Sequence, residues 1–141
     1  MELTIKQICE LTGGILLEGD PDLVIRHVTY DSRDVEGDAL FVPFKGARVD
    51  AHDFIDSAVE HGAAATFTER KDVRIGGRPV IYVPDSLKAL QTLGLYYRGL
   101  YTGRVVSVTG SVGKTTTREL TKAALSAGGS VDGSTRNLNS V

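Results

Sequence analysis

The residues best suited to chemistry lie late in the chain, where residues 109–117 read TGSVGKTTT. Glycines followed by lysine and threonine are typical of a loop that holds the phosphates of a nucleotide. The widespread form of that loop, G-x-x-x-x-G-K-[ST], would place its first glycine at position 108, which is Val108. The nearest glycine is Gly110, so the two glycines lie closer together and we expect a tighter turn.

The chemistry of such a loop comes from its backbone and from two side chains. Around Gly110 and Gly113, successive N–H groups can point into one concavity, and the helix that follows adds the positive end of its dipole. Lys114 can place a charge against the outer phosphates, and the Thr115 hydroxyl can bind Mg²⁺. The alternative is an ordinary glycine turn before a helix, with Lys114 in solvent. A chance match in a chain of this length arises on the order of once in a few hundred sequences, which favours nucleotide binding.

The flanking sequence predicts a strand before this loop and a helix after it. The strand is the β-branched run RVVSVTG at residues 104–110, and the helix is TTTRELTKAALSAGG at residues 115–129. Four apolar residues share one face of that helix and are expected to pack inward: Leu120, Ala123, Ala124 and Ala127. Strand, loop and helix open a βαβ unit, which needs a parallel partner strand. Residues 103–141 are therefore expected to begin a P-loop-type ATPase domain without completing it.

Residues 1–102 are predicted to form a small α/β domain of their own. A short helix is predicted to begin at Thr4 and to stop at Gly13, with apolar residues spaced along one face. Two strands are predicted on either side of the turn at residues 19–22, and a third strand is centred on Leu40.

The second half of this domain is predicted to run helix, strand, strand, helix. DAHDFIDSAVEHGA at residues 50–63 is an amphipathic helix. AAATFTE at residues 63–69 and PVIYVPD at residues 79–85 are strands. The last helix is DSLKALQTLGLYYRGLYTG at residues 85–103, with Ser86 as its cap. Together these helices and strands predict an α/β fold.

Composition and charge exclude several classes of function. Hydrophobic residues make up 41% and charged residues 24% of the chain, as in ordinary globular proteins. The net charge is −2 and basic residues form no run, so nothing favours a nucleic acid partner. Cys9 is the only cysteine, which excludes an internal disulfide, and no apolar run reaches the length of a membrane span. Without a secretory signal at the N-terminus, we expect a soluble cytoplasmic protein.

Two distant parts of the chain carry a family resemblance. The first is DSRDVEGDALFVPFKGARVDAHDFIDSAVEHGAAA at residues 31–65. The second is VVSVTGSVGKTTTRELTKAAL at residues 105–125, followed by STRNLNS at residues 134–140. Together they resemble the Mur ligase family, the ATP-dependent amide ligases of peptidoglycan precursor synthesis. The order D-S-R, L-F-V and K-G-x-R-x-D-x-H-D-F-I is most similar to members that add D-alanyl-D-alanine to UDP-MurNAc-tripeptide.

The resemblance implies a three-domain protein and a reaction. The family has a UDP-sugar domain, a central ATPase domain and a C-terminal domain for the incoming amino acid or dipeptide. Residues 1–102 correspond to the first domain and residues 103–141 to the beginning of the second, so the chain is expected to be an N-terminal fragment that is inactive alone. In the implied reaction, a carboxylate of UDP-MurNAc-peptide attacks ATP, with Mg²⁺, to give an acyl phosphate. The amine of D-alanyl-D-alanine then displaces phosphate.

The family resemblance also implies which residues meet ATP. Lys114 and Thr115 match catalytic positions, and Thr115 also matches the Mg²⁺ ligand. The matched ATP-binding positions are Gly110, Ser111, Val112, Gly113, Lys114, Thr115, Thr116 and Asn137. Arg136 stands where the family usually has a glycine, so the chain departs from the pattern beside Asn137.

A second set of residues matches the UDP side of the family's substrate pocket. Ser32 and Arg33 match that side directly, and the loop beside it is matched by Lys45, Gly46 and Arg48. Arginine suits a diphosphate because its planar fork offers parallel hydrogen bonds. Ser32 is also an ordinary turn residue, and Lys45 would usually be a solvated surface charge. His52 and Asp53 most simply begin a helix, and the sequence assigns them no chemistry.

Three other functions compete with this interpretation. The Mur ligase that adds diaminopimelate or lysine one step earlier shares the D-S-R and phosphate-loop motifs. A P-loop kinase or GTPase would share the loop but would leave the first hundred residues unexplained. A non-catalytic module that binds a UDP-sugar describes how the isolated chain is expected to behave.

Overall fold

The computed structural model describes residues 2–46 and 49–133. The chain divides into two compact units, Met1–Tyr101 and Thr102–Val141, which we call the first and second units. None of the helices in the described residues is both long and apolar enough to cross a bilayer.

The first unit combines strands and helices, as the sequence predicts. Its strands are β1 (Leu3–Thr4), β2 (Ile15–Glu18), β3 (Val24–Ile25), β4 (His27–Thr29), β5 (Ala39–Phe41), β6 (Ala65–Thr68) and β7 (Val80–Tyr82). Its helices are α1 (Ile5–Thr12), α2 (Ile55–Glu60) and α3 (Ser86–Leu100), and a 3₁₀ turn at Ala51–Phe54 leads into α2.

Five of these strands form one sheet in the order β2-β7-β6-β5-β4. Strands β4, β5, β6 and β7 are parallel, and β2 pairs with β7 in the antiparallel sense. The expected α/β class is confirmed, with a parallel sheet at its centre. Residues 15–29 form three strands rather than the two predicted. The chain divides there because β3 pairs with β1 in a separate sheet, whereas β4 joins the large one.

Both faces of the large sheet are covered, as is usual for parallel sheets. Leu40 packs in one buried cluster with Ile8 of α1 and Leu93 of α3. Its neighbour Phe41 points to the opposite face, in a second cluster with Ile55 of α2. Alternating side chains along β5 therefore join both layers of helices to one sheet.

The predicted limits of α1 are confirmed by its caps. The Thr4 hydroxyl accepts a hydrogen bond from the Gln7 N–H, and the Gln7 side chain accepts one from the Thr4 N–H. Gly13 ends the helix in the left-handed conformation, with φ of 68°, where glycine is favoured.

The predicted cap of α3 is wrong by one residue. The Asp85 carboxylate accepts the Lys88 N–H at 2.9 Å, so Asp85 is the N-cap. Ser86 is instead the first helical residue and is fully buried, and its N–H donates to the Glu69 carboxylate. The helix ends at Leu100, before the expected stop at Gly103.

The second unit contains the helix α4 (Lys114–Ser126). The expected inward packing of Leu120, Ala123, Ala124 and Ala127 is wrong, because no residue of α4 is buried and the exposed fraction of Leu120 is 66%. The strand predicted at residues 104–110 is not formed. The backbone N–H and C=O groups of a strand need hydrogen bonds to a neighbouring strand. Among the described residues, no strand lies beside this segment.

Candidate functional site

The expected substrate residues follow two neighbouring strands of the sheet. Ser32 and Arg33 lie in the loop after β4, and Lys45 and Gly46 lie in the loop after β5. Because β4 and β5 are adjacent and parallel, both loops leave the same edge of the sheet. The carboxyl ends of parallel strands are the usual position for ligands in α/β proteins.

Two aromatic rings connect these loops. Tyr30 and Phe44 lie with their ring centroids 6.0 Å apart and their planes tilted by 33°. Tyr30 retains an exposed fraction of 42%, so part of its ring faces solvent beside Ser32 and Arg33. No motif in the sequence predicted a role for Tyr30, although it is an aromatic residue directly before D-S-R.

The guanidinium of Arg33 is engaged by its own loop. Its Nε and one terminal nitrogen donate to the two carboxylate oxygens of Asp31, at 2.9 Å and 2.8 Å. This hydrogen bonding raises the pKa of Arg33. The Arg33 side chain is 84% exposed, so an incoming anion can reach it but must compete with Asp31. Ser32 is half-buried in a turn closed by the Asp34 N–H and the Asp31 carbonyl.

The loop after β5 closes into a turn between Lys45 and Asp50, which pair as an antiparallel bridge. We call the described residues of this feature, 45–46 and 49–50, the 45–50 turn. The Gly46 N–H donates to the Val49 carbonyl at 2.9 Å within it. A Cβ on Gly46 would lie 3.1 Å from that carbonyl oxygen, which explains the glycine. Lys45 is exposed, whereas Arg48, also expected to bind substrate, lies outside the described residues.

Directly after this turn, the His52 side chain is 2% exposed and both of its ring nitrogens are engaged. The Glu69 backbone N–H can only donate, and it lies 3.1 Å from Nε2. Nε2 is therefore the acceptor, and Nδ1 carries the proton that is donated to Asp50 Oδ1 at 2.6 Å. This assigns His52 as the neutral Nδ1–H tautomer. The Asp50 carboxylate also accepts a hydrogen bond from the His52 N–H, and Asp50 is thereby the N-cap of the 3₁₀ turn.

Asp50 is held in its ionised form by several donors. The backbone N–H of His52, then the His52 ring and the Arg70 guanidinium, hold the pKa of Asp50 at about 2. Arg70 donates to Asp50 at 3.0 Å and to Asp53 at 2.9 Å. Sequence reasoning missed this network because Arg70 and Glu69 follow β6, far along the chain from Asp50.

The candidate phosphate loop forms a turn that leads into α4. Gly113 adopts the left-handed conformation, with φ of 77°, and Lys114 begins the helix. The Lys114 ammonium donates back across the loop to the Gly110 carbonyl at 2.7 Å. Four other expected ATP residues are exposed: Ser111, Val112, Thr115 and Thr116.

The start of α4 differs from those of α1 and α3, which have side-chain caps. Within the described residues, Gly113 offers the first turn of α4 no such hydrogen bond. Uncapped N–H groups at a helix start are suited to an anion. Asn137, the last of the expected ATP residues, lies outside the described residues.

Thr115 is exposed at the first turn of α4, and its hydroxyl is a group that can serve as a metal ligand. The described residues contain no group of three or more His, Cys, Asp or Glu side chains placed to hold a metal. Mg²⁺ commonly takes few protein ligands and completes its shell with water and phosphate oxygens. A single hydroxyl at the first turn of α4 is compatible with that mode of binding.

Comparison with known proteins adds a family assignment to this geometry. Residues 24–98, more than half of the chain, match the family model described as "Mur ligase family, catalytic domain". The chain belongs to the Mur ligase family. The matched residues lie in the first unit and include both candidate loops of that unit, whereas the candidate phosphate loop lies beyond them.

Curated Mur ligases are similar over most of this chain. It is 39% identical over 127 residues to UDP-N-acetylmuramoyl-tripeptide–D-alanyl-D-alanine ligase of Bacillus subtilis, covering 86% of the chain and 27% of the relative. The Escherichia coli ligase of the same name is 36% identical over 140 residues, covering 99% of the chain and 30% of the relative. The chain thus spans less than a third of the length of these relatives.

Solved Mur ligases share the fold. A UDP-N-acetylmuramoylalanyl-D-glutamyl-2,6-diaminopimelate–D-alanyl-D-alanyl ligase from Acinetobacter baumannii aligns with a TM-score of 0.76 at 32% identity, over 90% of this chain and 28% of that one. A MurF ligase from Thermotoga maritima in complex with ADP aligns with a TM-score of 0.60 at 40% identity, over 72% of this chain and 23% of that one.

Proposed function

We propose that this chain is the N-terminal part of a cytoplasmic, ATP-dependent ligase that adds D-alanyl-D-alanine to UDP-MurNAc-tripeptide. The observation that carries the proposal is the similarity to ligases of that name. Those of Bacillus subtilis, Escherichia coli and Treponema pallidum match 86%, 99% and 95% of the chain. The proposed reaction passes through an acyl phosphate, as the resemblance to the family implies.

Each unit receives one part of this function. We assign UDP-sugar binding to residues 1–102, where two candidate loops leave one edge of the parallel sheet. We assign residues 103–141 to the beginning of the ATP-binding domain, where a glycine turn precedes an uncapped helix start. The solved relative with ADP supports a nucleotide in this family.

The candidate substrate residues would act mainly on the UDP diphosphate. Lys45 offers an exposed ammonium, and the small Gly46 lets the backbone of the 45–50 turn approach the ligand. Arg33 would exchange the carboxylate of Asp31 for a phosphate oxygen, which keeps two parallel hydrogen bonds. Ser32 and Arg48 complete the proposed set.

The candidate ATP residues would hold the triphosphate at the start of α4. ATP with Mg²⁺ supplies the phosphoryl group that activates the substrate carboxylate. The Lys114 ammonium would move from the Gly110 carbonyl to phosphate oxygens, and the exposed Thr115 hydroxyl would bind Mg²⁺. The backbone of Gly110, Ser111, Val112 and Gly113, the Thr116 side chain and Asn137 would surround the remaining oxygens.

Calorimetry on the 141-residue chain tests the substrate assignment. We expect weak binding of UDP-MurNAc-tripeptide and weaker binding by Lys45→Ala, with Lys6→Ala, an exposed lysine on α1, as the matched control. If UDP-MurNAc-tripeptide and UDP both fail to bind the folded chain, the first unit is not the UDP-sugar domain.

A second measurement tests whether the chain alone is an enzyme. We expect no ATP turnover by the 141-residue chain, because it spans less than a third of the length of the ligases that it resembles. ATP hydrolysis that disappears in Lys114→Ala would show that these residues already form a working site.

A second candidate is the Mur ligase that adds diaminopimelate. UDP-N-acetylmuramoyl-L-alanyl-D-glutamate–2,6-diaminopimelate ligase of Syntrophomonas wolfei is 40% identical, but over 81% of the chain. The ligase of that name from Listeria monocytogenes is 42% identical over 73% of the chain. The full-length ligase implied by our proposal should join D-alanyl-D-alanine to the tripeptide substrate. Product formation only from the dipeptide substrate and diaminopimelate would support the second candidate instead.

A further inference from the structure

We infer that His52 is a positioning residue that holds the 45–50 turn against the carboxyl end of β6, and so places Lys45 and Gly46 for the UDP diphosphate. The inference rests on the proposed function for the identity of the ligand. That His52 fixes the position of the turn is argued from its two hydrogen bonds alone and does not depend on the ligand. Neither ring nitrogen of His52 is left to meet a substrate, so its action passes through Asp50.

The two hydrogen bonds of the His52 ring join segments that are distant in sequence. The Glu69 N–H, just beyond β6, donates to Nε2, and Nδ1 donates to Asp50 at the base of the turn. A histidine that only began a helix could remain in solvent. Burial of this polar ring is favourable only when both nitrogens are satisfied, which fixes the distance between Asp50 and β6.

Both ends of this connection are themselves anchored. The second carboxylate oxygen of Asp50 accepts from Arg70 at 3.0 Å. The side chain of Glu69 accepts the Ser86 N–H at the start of α3, at 2.9 Å. The turn is thereby tied through Glu69 to the start of α3, a helix that packs in the core through Ala89 and Leu93.

The effect on Lys45 follows from the backbone. Lys45 and Asp50 pair across the turn, and the Ala51 N–H donates to the Phe44 carbonyl at 2.9 Å, so Asp50 and Lys45 move together. Without the His52 ring, Asp50 retains its bonds to the His52 N–H and to the Arg70 side chain but loses the bridge to the Glu69 backbone. The unbound turn then samples more conformations. Because binding a diphosphate must order the turn, the lost conformational entropy weakens the affinity.

Three variants of His52 separate its two bonds. His52→Ala removes both, His52→Asn keeps a donor near the Nδ1 position for Asp50, and His52→Gln keeps an acceptor near the Nε2 position for Glu69. His61→Ala is the matched control, because that histidine is exposed and its ring contacts only the nearby Ser57 carbonyl among the bonds of the described residues.

Two readouts are measured on the 141-residue chain. Amide hydrogen exchange of Gly46 reports closure of the turn, since that N–H donates to Val49. Calorimetry with UDP reports the affinity. We expect His52→Ala to accelerate Gly46 exchange and to weaken UDP binding roughly tenfold, the equivalent of one or two hydrogen bonds. His52→Asn and His52→Gln should fall between His52→Ala and the natural chain, and His61→Ala should match the natural chain.

Nitrogen NMR of the natural chain gives an independent check, because it should show the His52 proton on Nδ1. A proton on Nε2, or a folded His52→Ala chain with unchanged Gly46 exchange, would overturn the inference. If His52→Ala does not fold, the same comparison is made with His52→Asn and His52→Gln. If the natural chain does not bind UDP, the proposed function fails, while Gly46 exchange still decides whether His52 holds the turn.

Discussion

The charge of Asp50 has a direct consequence for stability in acid. Its pKa in the folded chain is about 2, against an ordinary value of 3.8. A carboxyl group with a lowered pKa in the folded state stabilises the fold above its unfolded pKa. That contribution disappears as the pH falls from about 4 towards the folded value.

We therefore expect Asp50→Asn to lower the free energy of unfolding at pH 6 and to matter progressively less as the pH falls from 4 towards 2. Denaturant unfolding at several pH values measures the difference between the two chains. Asp56→Asn, which removes the same charge from an exposed position on α2, is the control. A difference between the Asp50→Asn and natural chains that does not change with pH would show that Asp50 is not held ionised by its neighbours.

Glu18 performs a comparable task at the far end of the sheet. Its two carboxylate oxygens accept the Ile75 N–H at 2.9 Å and the Gly77 N–H at 2.8 Å, and these bonds lower the pKa of Glu18. We expect Glu18→Ala to accelerate amide exchange at Ile75 and Gly77, because both N–H groups lose their acceptor. Glu60→Ala, an exposed change on α2, should leave both rates unchanged. Unaltered exchange in Glu18→Ala would mean that the loop is held by other contacts.

At the scale of the elements, the start of α3 distinguishes two adjacent residues that are both common helix caps. Asp85→Ala should destabilise the chain by about 1 kcal/mol, the usual effect of losing an N-cap. Ser86→Ala should have little effect or a small stabilising one, since the buried Ser86 hydroxyl has no hydrogen-bond partner among the described residues. Thermal or denaturant unfolding of the two variants checks this. The reverse order of effects would restore Ser86 as the cap.

The helix α4 should be the least protected helix of the described chain. None of its residues is buried, so its backbone hydrogen bonds lack the tertiary packing that stabilises most helices. We expect its amides to exchange far faster than those of α3, which buries Ala89 and Leu93. Slow exchange throughout α4 in a monomeric sample would contradict this expectation.

At the scale of the whole molecule, both hydrophobic clusters consist of residues of the first unit. A chain shortened to end at Tyr101 should therefore retain the circular dichroism of a folded α/β protein. Its thermal unfolding transition should stay close to that of the first unit in the longer chain, because the deletion removes no residue of either cluster. A large loss of stability would show that residues 102–141 contribute to the first unit.

Local signals in the sequence predicted much of this fold, and distant contacts explain the failures. Thr4 and Gly13 mark both ends of α1 because capping depends on neighbouring residues alone. The segment at residues 104–110 has the composition of a strand. A strand forms only beside a neighbouring strand, and the sequence of the segment itself does not show whether one is present. The bond between His52 and Glu69 crosses 17 positions, so no spacing rule could predict it. The loops at the candidate site were predictable, whereas the network that holds them was not.

The two edge strands of the large sheet, β2 and β4, affect how readily the protein aggregates at high concentration. The β2 register shifts between Leu16 and Glu18, which interrupts the regular row of backbone groups at that border. Beside β4, Arg26 forms ion pairs with Glu2 and Asp38. Irregularity and charge at the borders of a sheet discourage strands of other molecules from adding to it. The same features that complete the fold therefore protect the protein against aggregation by strand pairing.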